Sequence, residues 1–135
     1  MKRSIALLTS SFAFALVLVA APGCERTTVE TSGGSKLTLK KPADQTLVRG
    51  KTNDVRVEID RKDLAGPVEV EVDRLPKGVH VATDNTSIPQ EQESVTLTLH
   101  ADPNADLVTN HRVTVKAKAS PGVEATEVFQ VTVKE

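Results

Sequence analysis

Three histidines, His80, His100 and His111, are the side chains of this sequence best suited to hold a metal ion. Their spacing does not match a local zinc motif, in which neighbouring ligands lie about two to five residues apart. His80 alternates with Val79 and Val81, which places its ring on the solvent side of a predicted strand. His100 and His111 lie on either side of a predicted loop and are expected in different sheets. We therefore interpret all three as solvated histidines and predict no metal site.

The segment Asp102–Asp106 offers a second type of cation chemistry, because Asp102, Asn104 and Asp106 have the spacing of the first three ligands of a calcium loop. The rest of that motif is absent. Leu107 stands where the glycine is required, and Val113 stands where the bidentate glutamate is required. The segment is therefore predicted to be an Asx-type turn. A weak calcium site completed by another loop remains an alternative.

Catalytic groups are sparse in the sequence. Ser87, Ser94 and Ser120 lie in no nucleophile motif, and no glycine-rich phosphate loop is present. Glu69 and Glu71 alternate with valines, so they are expected on the outer face of a strand, where burial cannot raise a carboxyl pKa. We predict that the chain is not an enzyme and uses no cofactor or small-molecule substrate.

The single cysteine, Cys24, follows a positively charged start and an apolar run over residues 5–21. The stretch Ala20-Ala21-Pro22-Gly23-Cys24 resembles the lipobox of bacterial lipoproteins. The resemblance implies that residues 1–23 form a signal helix that is removed, and that the Cys24 thiol carries diacylglycerol. The protein would then be lipid-anchored to a membrane of the bacterial cell envelope and face the periplasm or the exterior. An uncleaved membrane anchor and an unmodified thiol behind an ordinary signal peptide are the alternatives.

The charge of the processed chain argues against nucleic acid as a partner. Residues 1–23 hold two of the 17 lysines and arginines and none of the 18 acidic residues, so the remainder has a formal charge of −3. Nucleic-acid binding domains usually carry a basic patch or stripe. We therefore predict no nucleic-acid binding, and expect instead another protein of the envelope as partner.

Residues 24–35 are polar and contain Gly33 and Gly34, which predicts a flexible tether after Cys24 that could span about 35 Å. From residue 36 to 135, apolar and polar residues alternate in short runs separated by turn signals. The predicted inward residues are Leu37, Leu39, Leu47, Val55, Val57, Ile59, Val68, Val70, Val72, Val79, Val81, Val95, Leu97, Leu99, Val113, Val115, Ala117, Ala119, Phe129, Val131 and Val133. About seven such strands predict an all-β fold, an Ig-like or fibronectin-like antiparallel β-sandwich, with a small barrel as the alternative.

Several segments within residues 50–119 resemble the Ig-like domains of secreted and periplasmic bacterial proteins, the set associated with alpha-galactosidases above all. These segments are Leu75–Val79, Ile88-Pro89, Val95–Leu99, Ala101 and His111–Ala117. The resemblance implies a non-catalytic accessory module for protein interaction or scaffolding. A carbohydrate-binding module is the alternative, although the sequence has no Trp or Tyr to stack on sugars and Phe129 is expected in the core.

Charge makes a specific prediction about strand pairing. The outward residues of the strand at 68–73 are acidic, and those of the strand at 111–119 are mostly basic, namely Arg112, Lys116 and Lys118. Opposite charges across a strand pair stabilise it and like charges destabilise it. The two strands are therefore expected to lie side by side, and the strand at 53–60, with outward Glu58 and Asp60, is excluded as the neighbour of 68–73.

Overall fold

A computed structural model of the protein describes residues 25–120 and 122–135. They form ten β-strands: β1 (Arg26–Glu30), β2 (Lys36–Lys40), β3 (Gln45–Val48), β4 (Thr52–Lys62), β5 (Val68–Asp73), β6 (Val79–Val81), β7 (Ser87–Ile88), β8 (Ser94–Ala101), β9 (Val108–Ala119) and β10 (Val123–Lys134). Within these residues there is no helix with the length and apolar character needed to cross a membrane. The predicted signal helix at 1–23 and Cys24, the predicted lipidation site, lie outside the described residues.

The strands form two five-stranded sheets. Sheet I has the order β1-β2-β4-β8-β6, and sheet II has the order β3-β10-β9-β5-β7. All neighbours are antiparallel except β3 and β10, which run parallel. Within this arrangement, β2-β4-β8-β6 and β5-β9-β10 reproduce the two sheets of the immunoglobulin sandwich, with β3 continuing the first strand on the opposite sheet. The predicted fold class is confirmed.

The core lies between the sheets and follows the predicted alternation. Most of the predicted inward residues are buried, and Phe129 is 1% exposed at the centre. Val72, Val81 and Val95 are only partly buried and pack against the core. Every fully buried side chain in the described residues is apolar, so burial of aliphatic side chains supplies the main stabilising term.

The predicted tether is wrong over residues 26–30. These residues form β1, which pairs with β2 from Arg26 opposite Lys40 to Glu30 opposite Lys36. Alternation is weak here because Val29 is the only aliphatic residue, and β1 is held mainly by backbone hydrogen bonds at the sheet edge. Among the described residues the first strand therefore begins at Arg26, and residues 31–35 are a hairpin turn whose Thr31 N–H binds the Ser35 carbonyl.

Two further segments are more ordered than expected. The predicted loop at 101–110 is confined to residues 102–107, because β8 includes Ala101 and β9 begins at Val108. The predicted loop at 83–89 contains the two-residue strand β7, which pairs with the start of β5. Strands of two to five residues show too few alternations to be recognised by period alone, and this explains why ten strands replace the expected seven.

The predicted pairing of β5 with β9 is confirmed, with Glu69 opposite Lys118 and Glu71 opposite Lys116. The ion pairs are diagonal: Lys116 lies 3.0 Å from Asp73, and Lys118 lies 2.9 Å from Glu71. Long side chains reach diagonal neighbours across an antiparallel pair. We refer to these five residues as the charged ladder.

One arginine ties two loops to β4. The guanidinium of Arg61 donates hydrogen bonds to the carbonyls of Gly66 at 2.7 Å, Pro89 at 2.9 Å and Gln92 at 2.7 Å. The planar guanidinium group has five N–H donors in fixed directions, so it can bind several carbonyls at once, whereas the ammonium group of a lysine has three donors on a flexible chain. Arg61 thus fixes the loops before β5 and β8 at the end of the sandwich opposite the 102–107 loop.

Candidate functional site

Two of the three histidines, His80 and His100, lie next to each other on the outer face of sheet I. His80 on β6 stands directly opposite His100 on β8 in the antiparallel register. Their rings are 5.1 Å apart between centroids and are tilted by 57°. Because both side chains point away from the core, both rings are accessible from solvent.

Asp102 completes this group from the loop that follows β8. Its Oδ1 atom lies 3.6 Å from Nε2 of His100 and 3.8 Å from Nδ1 of His80. His100 and Asp102 are two residues apart, so strand alternation directs both to the same face. We call His80, His100 and Asp102 the histidine cluster.

The loop that carries Asp102 is fixed by the turn before β6. The Asp102 N–H donates to the Gly78 carbonyl at 2.8 Å, and the Asp106 N–H donates to the Lys77 carbonyl at 3.0 Å. Gly78 has φ +85°, and a Cβ atom at this position would lie 2.6 Å from the Cα of Ala105. Only glycine permits this approach, so the sequence turn Leu75–Gly78 positions both His80 and Asp102.

Metal ligation is the chemistry that this geometry permits. One ligand atom from each member of the histidine cluster lies within 4.8 Å of the other two. The side chains of His80, His100 and Asp102 are 55%, 30% and 41% exposed, so an ion would bind at the surface rather than in a closed site. Sequence spacing did not reveal this group, because His80 and His100 meet through strand pairing. The His-x-Asp spacing at 100–102 was the available local signal.

The remaining candidate residues are not brought together. His111 lies in sheet II, where its Nε2 is 2.8 Å from the Arg74 carbonyl, as expected for a sheet different from that of His100. Ser87 lies on β7 and Ser94 begins β8. Ser120 lines an open cleft of about 490 Å³ beside the β9–β10 turn, and no histidine is among the described residues of that lining.

The segment Asp102–Asp106, for which the sequence predicts a turn with a weak calcium site as the alternative, forms a backbone turn in the structure. The Ala105 N–H donates to the Asp102 carbonyl at 3.0 Å, and the Ala105 side chain is buried. Asp102 faces the two histidines. Calcium prefers six to eight oxygen ligands, whereas the histidine cluster supplies one carboxylate.

Comparisons with known proteins find solved structures whose folds are similar to that of this chain. No protein-family model matches the chain, and no curated protein matches it. A chimeric titin Z1Z2 carrying a peptide from decorin is 19% identical, over 83% of this chain and 97% of that chain, with a TM-score of 0.40. Domains 4 and 5 of the S-layer protein SbsC are 16% identical, over 76% of this chain and 66% of that chain, with a TM-score of 0.44. Titin domain M7 is 13% identical, over 85% of this chain and all of that chain, with a TM-score of 0.41.

The order of the strands in the two sheets carries the assignment of the fold, since identities and TM-scores at these levels are low. The four-strand set β2-β4-β8-β6 faces the three-strand set β5-β9-β10 across one aliphatic core. Residues 25–120 and 122–135 are therefore an immunoglobulin-like β-sandwich domain.

Proposed function

We propose that the protein is a non-catalytic interaction or structural module, lipid-anchored through Cys24 to a membrane of the bacterial cell envelope. Another envelope protein is its expected partner. The immunoglobulin-like fold supports a protein-interaction or structural role. The lipobox-like sequence at residues 20–24 supports the anchor.

The observation that carries the proposal is the immunoglobulin-like sandwich, and the position of β1 determines how closely an anchored domain would lie to the membrane. The strand begins at Arg26, so Glu25 alone separates it from Cys24. Glu25 is itself held, because its carbonyl accepts the Lys41 N–H at 2.7 Å and its carboxylate lies 3.0 Å from the Lys41 ammonium. In β1, the Thr27 hydroxyl donates to Glu127 at 2.6 Å and so ties sheet I to sheet II.

This arrangement limits how far the domain extends from a lipid at Cys24. Two residues span about 7 Å when extended, compared with about 35 Å for the predicted tether. The β1 edge of sheet I would therefore lie beside the bilayer. The histidine cluster lies at the opposite edge, four strand spacings or about 19 Å across the sheet.

The polar surface of the domain supports interaction rather than catalysis. In the charged ladder, Lys116 is bound to Asp73 and Lys118 is bound to Glu71, so both of its lysines are already paired within the fold. A stacking platform for sugars would need an exposed aromatic ring, and Phe129 is buried between the sheets.

The anchor is tested by Cys24→Ser, with Ala43→Ser as a matched control in an exposed loop. We expect the wild type and the control to fractionate with membranes and the Cys24→Ser variant to be released or to stay unprocessed. Mass spectrometry of the mature N-terminus should show an acylated Cys24. An unmodified N-terminus at any other residue would overturn the proposed anchor.

The interaction role is tested by placing a photo-crosslinking amino acid at three separate surfaces in intact cells. Suitable positions are Lys36 on sheet I, Ala82 after β6 and Thr126 on sheet II. We expect one surface to crosslink to a discrete envelope protein while the other two serve as controls. Binding on a glycan array without any crosslinked protein would instead assign the carbohydrate-binding function.

A further inference from the structure

We propose that His80, His100 and Asp102 form a site for a divalent transition-metal ion of the Zn²⁺ class. Two imidazole nitrogens and one carboxylate oxygen would bind the ion, and its remaining coordination positions would be open to water. This inference does not depend on the lipid anchor or on a protein partner.

Distances between the ligand atoms support the site. In a tetrahedral site with zinc–ligand bonds of about 2.0–2.1 Å, two ligand atoms are separated by about 3.3 Å. The Asp102 Oδ1 atom lies 3.6 Å from one histidine nitrogen and 3.8 Å from the other. Both separations are within about half an ångström of the tetrahedral value, and all three ligand atoms lie within 4.8 Å of one another.

The three side chains are also held on rigid elements. His80 and His100 are opposite residues in a strand pair, and Asp102 follows β8 directly, with its N–H bound to the Gly78 carbonyl. The separation of the ligands is thus set by the sheet and by the turn, as a preformed metal site requires.

The ligand types select the class of ion. Imidazole suits Zn²⁺, Cu²⁺ and Ni²⁺, whereas Mg²⁺ and Ca²⁺ prefer sites made entirely of oxygen. A single carboxylate leaves a bound divalent ion with a net positive charge and open positions. An ion at this site would link the three-residue edge strand β6 to β8 and to the 102–107 loop.

Binding should be coupled to folding. His80 and His100 are 20 residues apart in the sequence and are brought together by strand pairing. An ion that binds the folded state alone stabilises it by mass action. At a free ion concentration of about 100 times the dissociation constant, the folding equilibrium constant should rise about 100-fold.

The test uses the full chain in detergent with Cys24→Ser throughout, which removes the thiol as a competing ligand. Titration with ZnCl₂ followed by calorimetry should show one bound equivalent. His80→Ala and His100→Ala should each weaken binding by at least about tenfold, since even supporting residues of metal sites contribute that much. His111→Ala is the matched control and should bind as the parent does.

A second measurement separates ligation from a loss of structure. Circular dichroism without metal should show that the variants retain the β-sheet spectrum, and Zn²⁺ should raise the thermal midpoint of the parent and of His111→Ala but not of the other two variants. Asp102→Asn tests the carboxylate in the same way. Equal zinc affinity in the parent and a His80→Ala/His100→Ala double variant would overturn the proposal, as would a preference for Ca²⁺ over Zn²⁺.

Discussion

The charged ladder and the histidine cluster are both cross-strand groups on the outer faces of the sandwich, but they are built differently. In the charged ladder, one strand supplies the acids and the neighbouring strand supplies the bases, and its ion pairs are 3.0 and 2.9 Å long. In the histidine cluster, two identical side chains face each other, and a loop supplies the single carboxylate. Both lysines of the charged ladder are paired with carboxylates, whereas the histidine cluster has the composition of a ligand set.

The difference shows which polar groups serve pairing and which can serve binding. Opposite charges repeated along β5 and β9 favour one partner strand and one register, so these charges stabilise the fold itself. Two histidines that face each other do not favour a particular partner strand or register. Their position depends on the backbone, in particular on the turn at Gly78 that fixes both β6 and the Asp102 loop.

The largest effect is expected from a substitution at Gly78, because this turn positions the histidine cluster and no residue of it belongs to the charged ladder. Gly78→Ala places a Cβ atom 2.6 Å from the Cα of Ala105 and forces alanine to φ +85°. We expect a loss of about 3 kcal/mol or more in the free energy of unfolding, because backbone strain and a steric clash add. Chemical denaturation measures the loss.

Gly66→Ala is the matched control, with φ +89° and no atom within 4 Å of the added Cβ. It should cost only about 1–2 kcal/mol, for the backbone conformation alone. Zinc binding should be lost in Gly78→Ala and retained in Gly66→Ala. Equal destabilisation by the two substitutions would show that the turn does not hold the 102–107 loop closely.

A smaller effect tests whether the ion pairs of the charged ladder contribute to the stability of the β5–β9 pairing. In a double-mutant cycle with Asp73→Ala and Lys116→Ala, we expect a coupling of about 0.2–1 kcal/mol, the range for exposed pairs. The coupling should fall in about 1 M salt, where the Debye length is about 3 Å. A zero coupling at low salt would mean that alternation of apolar residues alone sets this register.

The smallest effect concerns titration within the charged ladder. The hydrogen bond that Lys118 donates to Glu71 raises the pKa of the lysine above its ordinary value of 10.5, and the nearby acidic charges add to this against partial desolvation. A raised pKa in the folded state stabilises the protein fully below the pKa of the unfolded chain. That contribution is lost as the pH rises through the folded-state pKa, in the range above 10.5.

Nuclear magnetic resonance titration of the lysine side chains measures this shift. Glu71→Gln should lower the pKa of Lys118 towards its ordinary value. Lys41 is the internal control, because a hydrogen bond to Glu25 raises its pKa independently of the charged ladder. An unchanged Lys118 pKa in the variant would remove Glu71 as the cause.

The sequence by itself determined the sandwich, most of its core and the β5–β9 pairing. These features follow from alternation within single strands, as at Val68 and Val70 or Val113 and Val115, and from charges of opposite sign on two long strands. Such patterns report which face of a strand is buried, and burial of aliphatic side chains is the largest stabilising term.

Tertiary structure alone decided the position of β1 and the assembly of the histidine cluster. β1 has a single aliphatic residue, so its place depends on free backbone hydrogen bonds at the edge of β2. His80 and His100 meet because β6 pairs with β8, and Asp102 joins them because Gly78 is packed against Ala105 of the 102–107 loop. Contacts of this kind arise from chain closure between distant residues, and periodicity within a strand carries no information about them.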